Sequence, residues 1–310
     1  MKRNGTRDGG YRATYAHEQA RARRWCGARL EREDELRAYV LERLKRGWSP
    51  ETVSGRLKRE RGKRVISHES IYGFLYARIA RTKDCGWRQY LRRGKWKRGM
   101  RRRGGSSPAS FIAKRRPLSE RPASAADRQE FGHWEADGMQ FGRSGQMVLM
   151  LHERRSRLLL GVRLPSMAAE PVATAMAGIL GPLPPEFRRT VTFDNGTEFA
   201  HHYALHAWGI ETFFCDTYSP WQKGGVENAI ERMRRFLPRR TDVASLSKRG
   251  FTAPFGVYNN TPRKCLDYQT PAEVLRDQVL HSSNVNSPSS LRWNDELAPG
   301  ELCRGFLAGA

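Results

Sequence analysis

The 310-residue sequence lacks the cysteine pattern of a zinc ribbon or of a disulfide-stabilised domain. Its five cysteines are odd in number and widely spaced, and no two of them form a Cys-x-x-Cys pair. Both of those classes depend on paired cysteines at characteristic spacings. The chain is therefore expected to fold without structural zinc or disulfides, in a reducing cytoplasm.

Long apolar segments are also missing. No apolar run approaches the roughly 18 to 20 residues of a membrane-spanning helix, and the charged N-terminus lacks the apolar centre of a signal peptide. These absences argue against a membrane or a secreted protein.

Acidic residues are scarce in the N-terminal part of the chain. Residues 1–124 hold 35 basic and 12 acidic residues, whereas residues 125–310 hold 21 and 20, so the formal charge of +24 lies almost entirely in the first part. Each phosphate that a lysine or arginine neutralises releases condensed counterions, so such a field favours a polyanion. Nucleic acid is the leading candidate partner, and a solubilising basic surface is the alternative.

Three short amphipathic helices are predicted in this basic part. Leucine and valine residues recur at helical spacing over residues 34–47. Ser49 and Pro50 are a capping residue and a first-turn proline for a second helix, and Ser67 can cap a third helix that extends to about residue 79.

Three short helices are typical of a helix-turn-helix domain, predicted here over residues 31–80. The last helix of such a domain enters the major groove of DNA. His68, Glu69 and Ser70, near the start of that helix, would then face base edges. A small helical bundle that binds protein is the alternative, and the neighbouring charge favours DNA.

A basic, glycine-containing stretch follows, and we predict a flexible linker over residues 81–127. Between residues 92 and 116, eleven of 25 residues are Lys or Arg and none is acidic. Such a segment can follow a phosphate backbone. Arg101, Arg102 and Arg103 are its candidate DNA contacts.

From residue 128 onward the pattern changes to short apolar runs separated by turns. Predicted strands cover residues 132–137, 147–151, 158–164, 190–193 and 210–215, and predicted helices cover 168–180 and 226–237. The second and third strands form a hairpin. This alternation predicts an α/β domain with a mixed sheet covered by helices.

Three carboxylates occupy positions suited to metal-dependent chemistry. Asp137 and Asp194 are predicted at strand ends, where α/β sheets bind ligands, and Glu227 near the start of a helix after a glycine-containing loop. Paired divalent ions catalyse phosphoryl transfer, and magnesium or manganese prefers carboxylate oxygens. Singly, each acid is equally compatible with capping a turn or a helix. Spacing also permits Glu231 as the third ligand.

Neighbouring residues carry two interpretations each. Glu135 could orient a metal-bound water or form a structural ion pair, and Glu198 could assist Asp194 or cap a helix. Trp221 and Lys223, with Gln222 between them, could contact DNA near the scissile phosphate, or Trp221 could pack beneath its loop. His202 and His206 could share a metal, but surface or packing roles are favoured. These alternatives remain open on sequence grounds.

Several ordered blocks resemble one known family. GHWEAD, TFDNGTEF and SPWQKGGVENAIERMRRFLP resemble the three catalytic blocks of the insertion sequence 30 family of bacterial DDE transposases, which are related to retroviral integrases. ELRAYVLERLKRGWSPETVSGRLKRE followed by ISHESIYGFLY resembles the family's helix-turn-helix region, and YNNTPRKCLDYQTPAEVL resembles the block after its catalytic glutamate. The resemblance spans most of residues 1–275 and implies Asp137, Asp194 and Glu227 as the catalytic, metal-binding triad.

The resemblance also implies a fold, an activity and partners. It implies an RNase H-like catalytic domain over residues 128–277 that holds two Mg²⁺ or Mn²⁺ ions. The activity would be binding of terminal inverted repeats, strand cleavage that exposes a 3′ hydroxyl, and transfer of that hydroxyl into target DNA. The partners would be double-stranded transposon ends and target DNA, with a homo-oligomer in the synaptic complex and a nucleoid-associated location in the bacterial cytoplasm.

Two departures from the family pattern lead to competing expectations. Residues 1–30 resemble only the end of an upstream DNA-binding region, and Gly250, Pro254 and Gly256 stand where the family generally has a helix. Residues 278–310 resemble nothing familiar and are expected to form a disordered or altered tail. A noncatalytic, element-derived DNA-binding repressor is therefore one rival function, and an RNase H-like nuclease without strand transfer is another.

Overall fold

An all-helical N-terminal unit, Met1–Arg98, and an α/β unit, Gly99–Ala310, make up the chain. The boundary between them lies inside the predicted linker. The structure, a computed structural model, describes residues 13–22, 29–82, 84–90, 112–142, 146–164, 166, 168–217 and 219–283. No helix within those ranges combines the length and the apolar character needed to cross a membrane.

The described part of the N-terminal unit contains five α-helices, and the three predicted helices are confirmed as the last three of them. They are α1 (Ala13–Ala22), α2 (Arg29–Arg32), α3 (Asp34–Lys45), α4 (Pro50–Arg61) and α5 (His68–Thr82), followed by a 3-10 helix at Cys85–Tyr90. Apolar side chains of α2 to α5 and of the segment before α5 meet in one core, formed by Leu30, Val40, Leu44, Val53, Leu57, Ile66, Ile71, Phe74 and Leu75.

Local capping explains the bounds of α4 and α5. The Ser49 hydroxyl accepts a hydrogen bond from the Thr52 amide at 3.2 Å, and α4 stops at Gly62, whose φ of +67° is accessible to glycine at little cost. The Ser67 hydroxyl accepts from the Ser70 amide at 3.0 Å in the same way. The capping signals in the sequence therefore set these helix starts.

Among its described residues, the α/β unit contains five strands and five α-helices. The strands are β1 (His133–Gln140), β2 (Met147–Glu153), β3 (Leu159–Leu164), β4 (Thr190–Phe193) and β5 (Glu211–Phe214). The helices are α6 (Ala123–Asp127), α7 (Ala169–Leu180), α8 (Gly224–Met233), α9 (Lys248–Asn259) and α10 (Pro271–Ser283). The predicted hairpin is confirmed by the antiparallel pairing of β2 with β3.

The strands form one mixed sheet in the order β3-β2-β1-β4-β5. The first three are antiparallel neighbours, while β4 runs parallel to both β1 and β5. The predicted fold class, an α/β mixed sheet flanked by helices and preceded by an all-α region, is confirmed.

Each face of the sheet has its own apolar core. Alternate residues of β1 divide between the faces, because successive side chains of a strand point in opposite directions. Trp134 and Ala136 join the core that contains side chains of α7 and α10. Met139 joins the core that contains side chains of α8 and α9. Glu135 and Asp137 lie four and two residues before Met139 on β1, so their side chains are on the same face of the sheet as Met139, the face covered by α8.

Three sequence expectations require correction. β1 does not end at Asp137 but continues to Gln140, because β2 pairs with it antiparallel along that whole length. The helix predicted over residues 226–237 begins at Gly224 and ends at Met233. α10 reaches Ser283, inside the predicted tail, and the rest of that tail lies outside the described residues.

The segment with Gly250, Pro254 and Gly256 is helical after all, as α9. The Ser247 hydroxyl caps it by accepting from the Gly250 amide at 3.0 Å. Phe251 and Phe255 are buried in the core beside α8. Tertiary packing thus outweighs the low helix propensity of glycine and proline.

Candidate active site

Asp137 lies on β1 beyond the point where the parallel neighbour strand ends. Pairing between β1 and β4 stops at Glu135 and Thr192, whereas β1 remains paired with β2 at Asp137 and Met150. The Asp137 carboxylate therefore has β2 on one side and an open sheet edge on the other. The step in strand length, and not a strand end, exposes this acid.

Asp194 directly follows the last residue of β4, as predicted from the sequence. Its carboxylate accepts a hydrogen bond from the Gly196 amide at 3.2 Å. The next residue, Asn195, is buried and donates to the Cys215 carbonyl at 3.0 Å, while its amide oxygen accepts from Arg115 at 2.9 Å. These bonds fix the turn that presents Asp194.

The Lys223 ammonium joins the two aspartates. Its nitrogen lies 3.3 Å from Asp137 Oδ2 and 2.8 Å from Asp194 Oδ2, and it also donates to the Ala136 carbonyl at 3.3 Å. Lys223 is only 4% exposed. Sequence analysis assigned this residue to DNA contact, whereas its side chain is buried against the two carboxylates.

The charges of this group influence one another. Burial raises the pKa of Asp137 above its usual value; the charge of Lys223 opposes that rise and Asp194 adds to it. For Lys223, burial acts against the charged form, but the two carboxylates outweigh it and raise the pKa of the ammonium. Lys223 is therefore a cation at neutral pH, held between two acids.

Glu227 is exposed in the first turn of α8 and borders a cleft of about 380 Å³. The cleft is lined by Asp137, Gly138, Gln140, Glu227, Ile230, Glu231, Arg234 and Arg239. Asp137 thus contacts Lys223 and also lines the cleft that Glu227 borders. Glu231, the alternative third ligand, lines the same cleft one helical turn further along.

The carboxylates have suitable chemistry for a divalent ion but are not gathered around one point. Nowhere in the described ranges do three His, Cys, Asp or Glu side chains lie close enough together to hold a metal ion. Asp137 and Asp194 already share a cation, the Lys223 ammonium, and hard carboxylate oxygens are the ligands that magnesium and manganese prefer. The donor set therefore fits such an ion.

Glu135 forms the structural ion pair that was one of its two interpretations. Its side chain is 1% exposed, and Oε1 accepts from the guanidinium of Arg154, which is also buried. Oε2 accepts from the Val226 amide at 2.8 Å. Glu135 is thus engaged on both oxygens.

Glu198 lies close to the aspartates. Burial raises the pKa of its carboxyl, and the charges of Asp194 and Asp137 raise it further. A Cβ at Gly196 would lie 2.3 Å from Glu198 Oε2, so the carboxylate covers that glycine. Glu198 also lies in a short 3-10 helix, Thr197–Phe199, which agrees with its other interpretation.

The two histidines have packing roles. His202 is buried; its Nδ1 lies 2.7 Å from the Thr212 hydroxyl and its Nε2 lies 2.8 Å from the Ala113 carbonyl. His206 Nε2 lies 2.8 Å from the same hydroxyl. Thr212 therefore occupies the point between the rings where a shared metal would have to bind.

The remaining candidate DNA contacts are divided between the two units. Trp221 is 73% exposed, so it does not pack beneath its loop, and Gln222 bonds both the amide and the carboxylate of Asp216. In the N-terminal unit, His68 is partly buried beside Glu69, and Ser70 is exposed. Arg101, Arg102 and Arg103 lie outside the described residues.

Sequence analysis missed two arginines of the cleft. Arg234 donates to the Gln140 carbonyl at 2.6 Å and lies over the Phe141 ring, and Arg239 lines the cleft beside it. The signal was present in the sequence, because five arginines occur between residues 232 and 240 with no acidic residue among them.

The chain is similar in sequence to several transposases of insertion sequence elements. The chain is 34% identical over 277 residues to the transposase InsI for insertion sequence element IS30A of Escherichia coli strain K12, covering 87% of this chain and 72% of that protein. It is 34% identical over 296 residues to the transposase for insertion sequence element IS1086 of Cupriavidus metallidurans, covering 93% and 86%. A transposase for element IS4351 of Bacteroides fragilis is 29% identical, with coverage of 92% and 86%.

Two other comparisons complete the picture. No protein-family model matches the chain. Among solved structures, it is similar to the catalytic core domain of BIV integrase, with a TM-score of 0.40 and 18% identity, over 49% of this chain and 98% of that one.

Proposed function

The chain belongs to the IS30 family of transposases, and from that premise we propose that Asp137, Asp194 and Glu227 carry out its strand chemistry. The observation that supports this proposal is that the Lys223 ammonium lies 3.3 Å from Asp137 Oδ2 and 2.8 Å from Asp194 Oδ2. Asp137 also lines a cleft that Glu227 borders. Two carboxylates that share a cation, with a third beside the same cleft, provide the oxygen ligands that metal-assisted phosphoryl transfer uses.

The reaction is a pair of phosphoryl transfers at the element's terminal inverted repeats. Water first attacks a phosphodiester at the element end and displaces a 3′ hydroxyl. That hydroxyl then attacks a phosphodiester of the target DNA, joins to its 5′ phosphate and displaces the 3′ hydroxyl of the target strand. Two divalent ions, magnesium or manganese, would activate the attacking oxygen and stabilise the leaving one. Asp137, Asp194 and Glu227 are the residues that would hold them.

The chain's own residues contribute position and charge. Hydrogen bonds from Asn195 and Gly196 fix the turn at Asp194, and pairing with β2 fixes Asp137. Arg234 and Arg239, on the wall of the cleft, supply positive charge for the DNA phosphates next to the scissile one. Trp221, with its exposed ring, is available to the DNA beside the same site.

Partners and assembly follow from the same reaction. The substrate is double-stranded DNA, both as element ends and as target. Joining two ends in one complex requires more than one copy of the chain, so a homo-oligomer is proposed for the synaptic complex. The exposed basic residues of the N-terminal unit, with α5 as the helix that enters the major groove, are proposed to bind the inverted repeats.

The test compares the wild-type chain with Asp194→Asn on labelled inverted-repeat duplexes in magnesium. Loss of one carboxylate should lower the cleavage rate by about a thousandfold or more, because it removes several kcal/mol of transition-state stabilisation. Glu170→Gln, which changes an exposed acid in the first turn of α7, is the matched control and should cut normally.

Three other outcomes would replace the proposal. Equal cleavage by Asp194→Asn removes the site assignment. Tight binding without cleavage by the wild type identifies a repressor. Cleavage that never yields joined products identifies a nuclease.

A further inference from the structure

Glu135 is engaged in a contact that the strand chemistry described above does not use. Its Oε2 accepts a hydrogen bond from the Val226 amide at 2.8 Å, one residue before Glu227. Glu135 is also two residues before Asp137 on β1, on the same face of the sheet. One buried side chain thus links the strand of the first acid to the helix of the third.

The amide of Val226 is one that a helix cannot satisfy by itself. It belongs to the first turn of α8, which begins at Gly224, and the first four amides of a helix have no partner within it. The residue before the helix, Lys223, provides no side-chain cap, because an ammonium group can only donate and has no atom to accept from an amide. Glu135 supplies the missing acceptor from the neighbouring strand.

The other carboxylate oxygen of Glu135, Oε1, also has a buried hydrogen-bond partner. Oε1 accepts from the Arg154 guanidinium, whose Nε donates to the Ala125 carbonyl at 2.8 Å. Glu135 and Arg154 are 1% and 5% exposed, so water does not compete for these bonds. The carboxylate is thereby fixed between α6 and α8.

The approach of α8 to this carboxylate depends on one glycine. A Cβ at Gly225 would lie 2.5 Å from Glu135 Oε2, which is too close for real atoms, and in a tight contact of 3.0 Å with His152 Nδ1. At Gly224, in contrast, a Cβ would meet nothing within 4 Å. Of the two glycines, only Gly225 is needed for the first turn of α8 to contact the Glu135 carboxylate.

We propose that Glu135 is a positioning residue that anchors the first turn of α8 to β1 and thereby sets the separation of Glu227 from Asp137. This inference rests on the proposed role of Glu227. Misplacing a catalytic group by about 1 Å can cost about a hundredfold in rate. The anchor acts through the helix and touches neither DNA nor metal.

The first experiment uses the adjacent glycines. Gly225→Ala should displace the Glu135 carboxylate from the helix start, while Gly224→Ala should leave it in place. We expect Gly225→Ala to lower kcat for cleavage of inverted-repeat duplexes by about tenfold or more with KM for DNA unchanged. Hydrogen exchange of the peptide at residues 224–233 should accelerate, while exchange in β2 stays as in the wild type.

A second pair of variants removes the ion pair without leaving a buried charge. Glu135→Gln with Arg154→Met keeps an oxygen that can accept from Val226, whereas Glu135→Leu with Arg154→Met removes it. Both lose the bond to Ala125, and only the glutamine variant keeps an acceptor for the Val226 amide. The glutamine variant should retain most of the wild-type kcat and protection of α8, and the leucine variant should lose both.

The results separate the anchor from the catalytic assignment. Wild-type kcat and wild-type exchange in Gly225→Ala, or in the leucine variant, would overturn the anchor. Glu227→Gln is measured beside them. If it is inactive while the leucine variant cuts normally, only the anchor fails; if it cuts normally, the proposed role of Glu227 fails instead.

Discussion

Lys223 combines two properties that rarely occur together, nearly complete burial and a full positive charge. Its cost of desolvation is offset by two carboxylates within 3.3 Å and by a backbone carbonyl. The same two carboxylates are proposed metal ligands. Bound metal and the ammonium would therefore compete for the same oxygens, and the lysine would have to release them when metal binds.

This competition predicts the behaviour of Lys223→Ala. Without the ammonium, Asp137 and Asp194 repel each other, and the metal-free chain should lose about 1 to 3 kcal/mol, less than for a fully buried pair because Asp194 is 44% exposed. Manganese should then raise the Tm more in the variant than in the wild type, since binding to the native state stabilises it. Thermal denaturation with and without manganese measures both effects.

Lys248→Ala is the control, because Lys248 is exposed on α9 and does not contact the aspartates. It should match the wild type in both conditions. Equal manganese-induced shifts for Lys223→Ala and the wild type would show that the ammonium does not occupy the metal position.

The sequence indicated the three proposed acids, but it did not indicate that a buried cation, Lys223, lies between two of them. The acids stand in recognisable local contexts, a strand, a turn after a strand and a helix start. The burial of Lys223 depends on β1, the turn after β4 and the loop before α8 converging, and these segments are far apart in the sequence. A local sequence pattern does not show which distant segments converge, so Lys223 was predicted only as a candidate DNA contact.

Among the secondary-structure elements, α9 shows how packing overrides propensity. Pro254 lies inside the helix, where it cannot donate to the carbonyl of Gly250 four residues earlier. Phe251 and Phe255 compensate by burial, and the approach to β3 is so close that a Cβ at Gly161 would lie 2.1 Å from the Phe255 ring. The expectation of a disrupted helix failed because propensity was weighed without these contacts.

Replacing that proline should therefore stabilise the protein. Pro254→Ala restores one backbone donor and removes the clash between the proline ring and the carbonyl four residues earlier. The substitution also increases the entropy of the unfolded chain, which offsets part of that gain. The free energy of unfolding should therefore rise by roughly 1 to 2 kcal/mol. Urea denaturation of the full chain measures the change. Pro271→Ala is the comparison, because a proline that begins a helix removes no helical hydrogen bond. A lower midpoint for Pro254→Ala would contradict this account.

At the scale of the element, the bounds of β4 were predicted better than those of β1. The hairpin of β2 and β3 and the short β4 followed from apolar runs and turns. β1 was predicted to end at Asp137, yet β2 pairs with it as far as Gln140. The unequal lengths of β1 and β4 are set by different partners, and only the assembled sheet reveals them.

For the molecule as a whole, the uneven charge is the dominant electrostatic feature. The N-terminal part, residues 1–124, holds 35 basic and 12 acidic residues, while the remainder is nearly balanced. In the N-terminal unit, Lys63 and Arg64 are exposed in the turn between α4 and α5. The turn before a groove-binding helix lies close to the DNA backbone, so we expect these two side chains to contact phosphates.

Phosphate contacts predict a change in salt dependence and not in sequence preference. For duplex DNA, log Kd changes with log salt concentration by about 0.9 per neutralised phosphate. Lys63→Gln with Arg64→Gln should therefore reduce that slope by about 1 to 2 and weaken binding to inverted-repeat and unrelated duplexes by similar factors. Lys248→Gln with Arg249→Gln, exposed on α9, tests whether any pair of surface charges has this effect. Only specific phosphate contacts make one pair of cations matter more for DNA affinity than another. An unchanged salt slope in the first pair of variants, or equal losses of affinity in both pairs, would therefore assign the N-terminal charge to solubility instead of DNA binding.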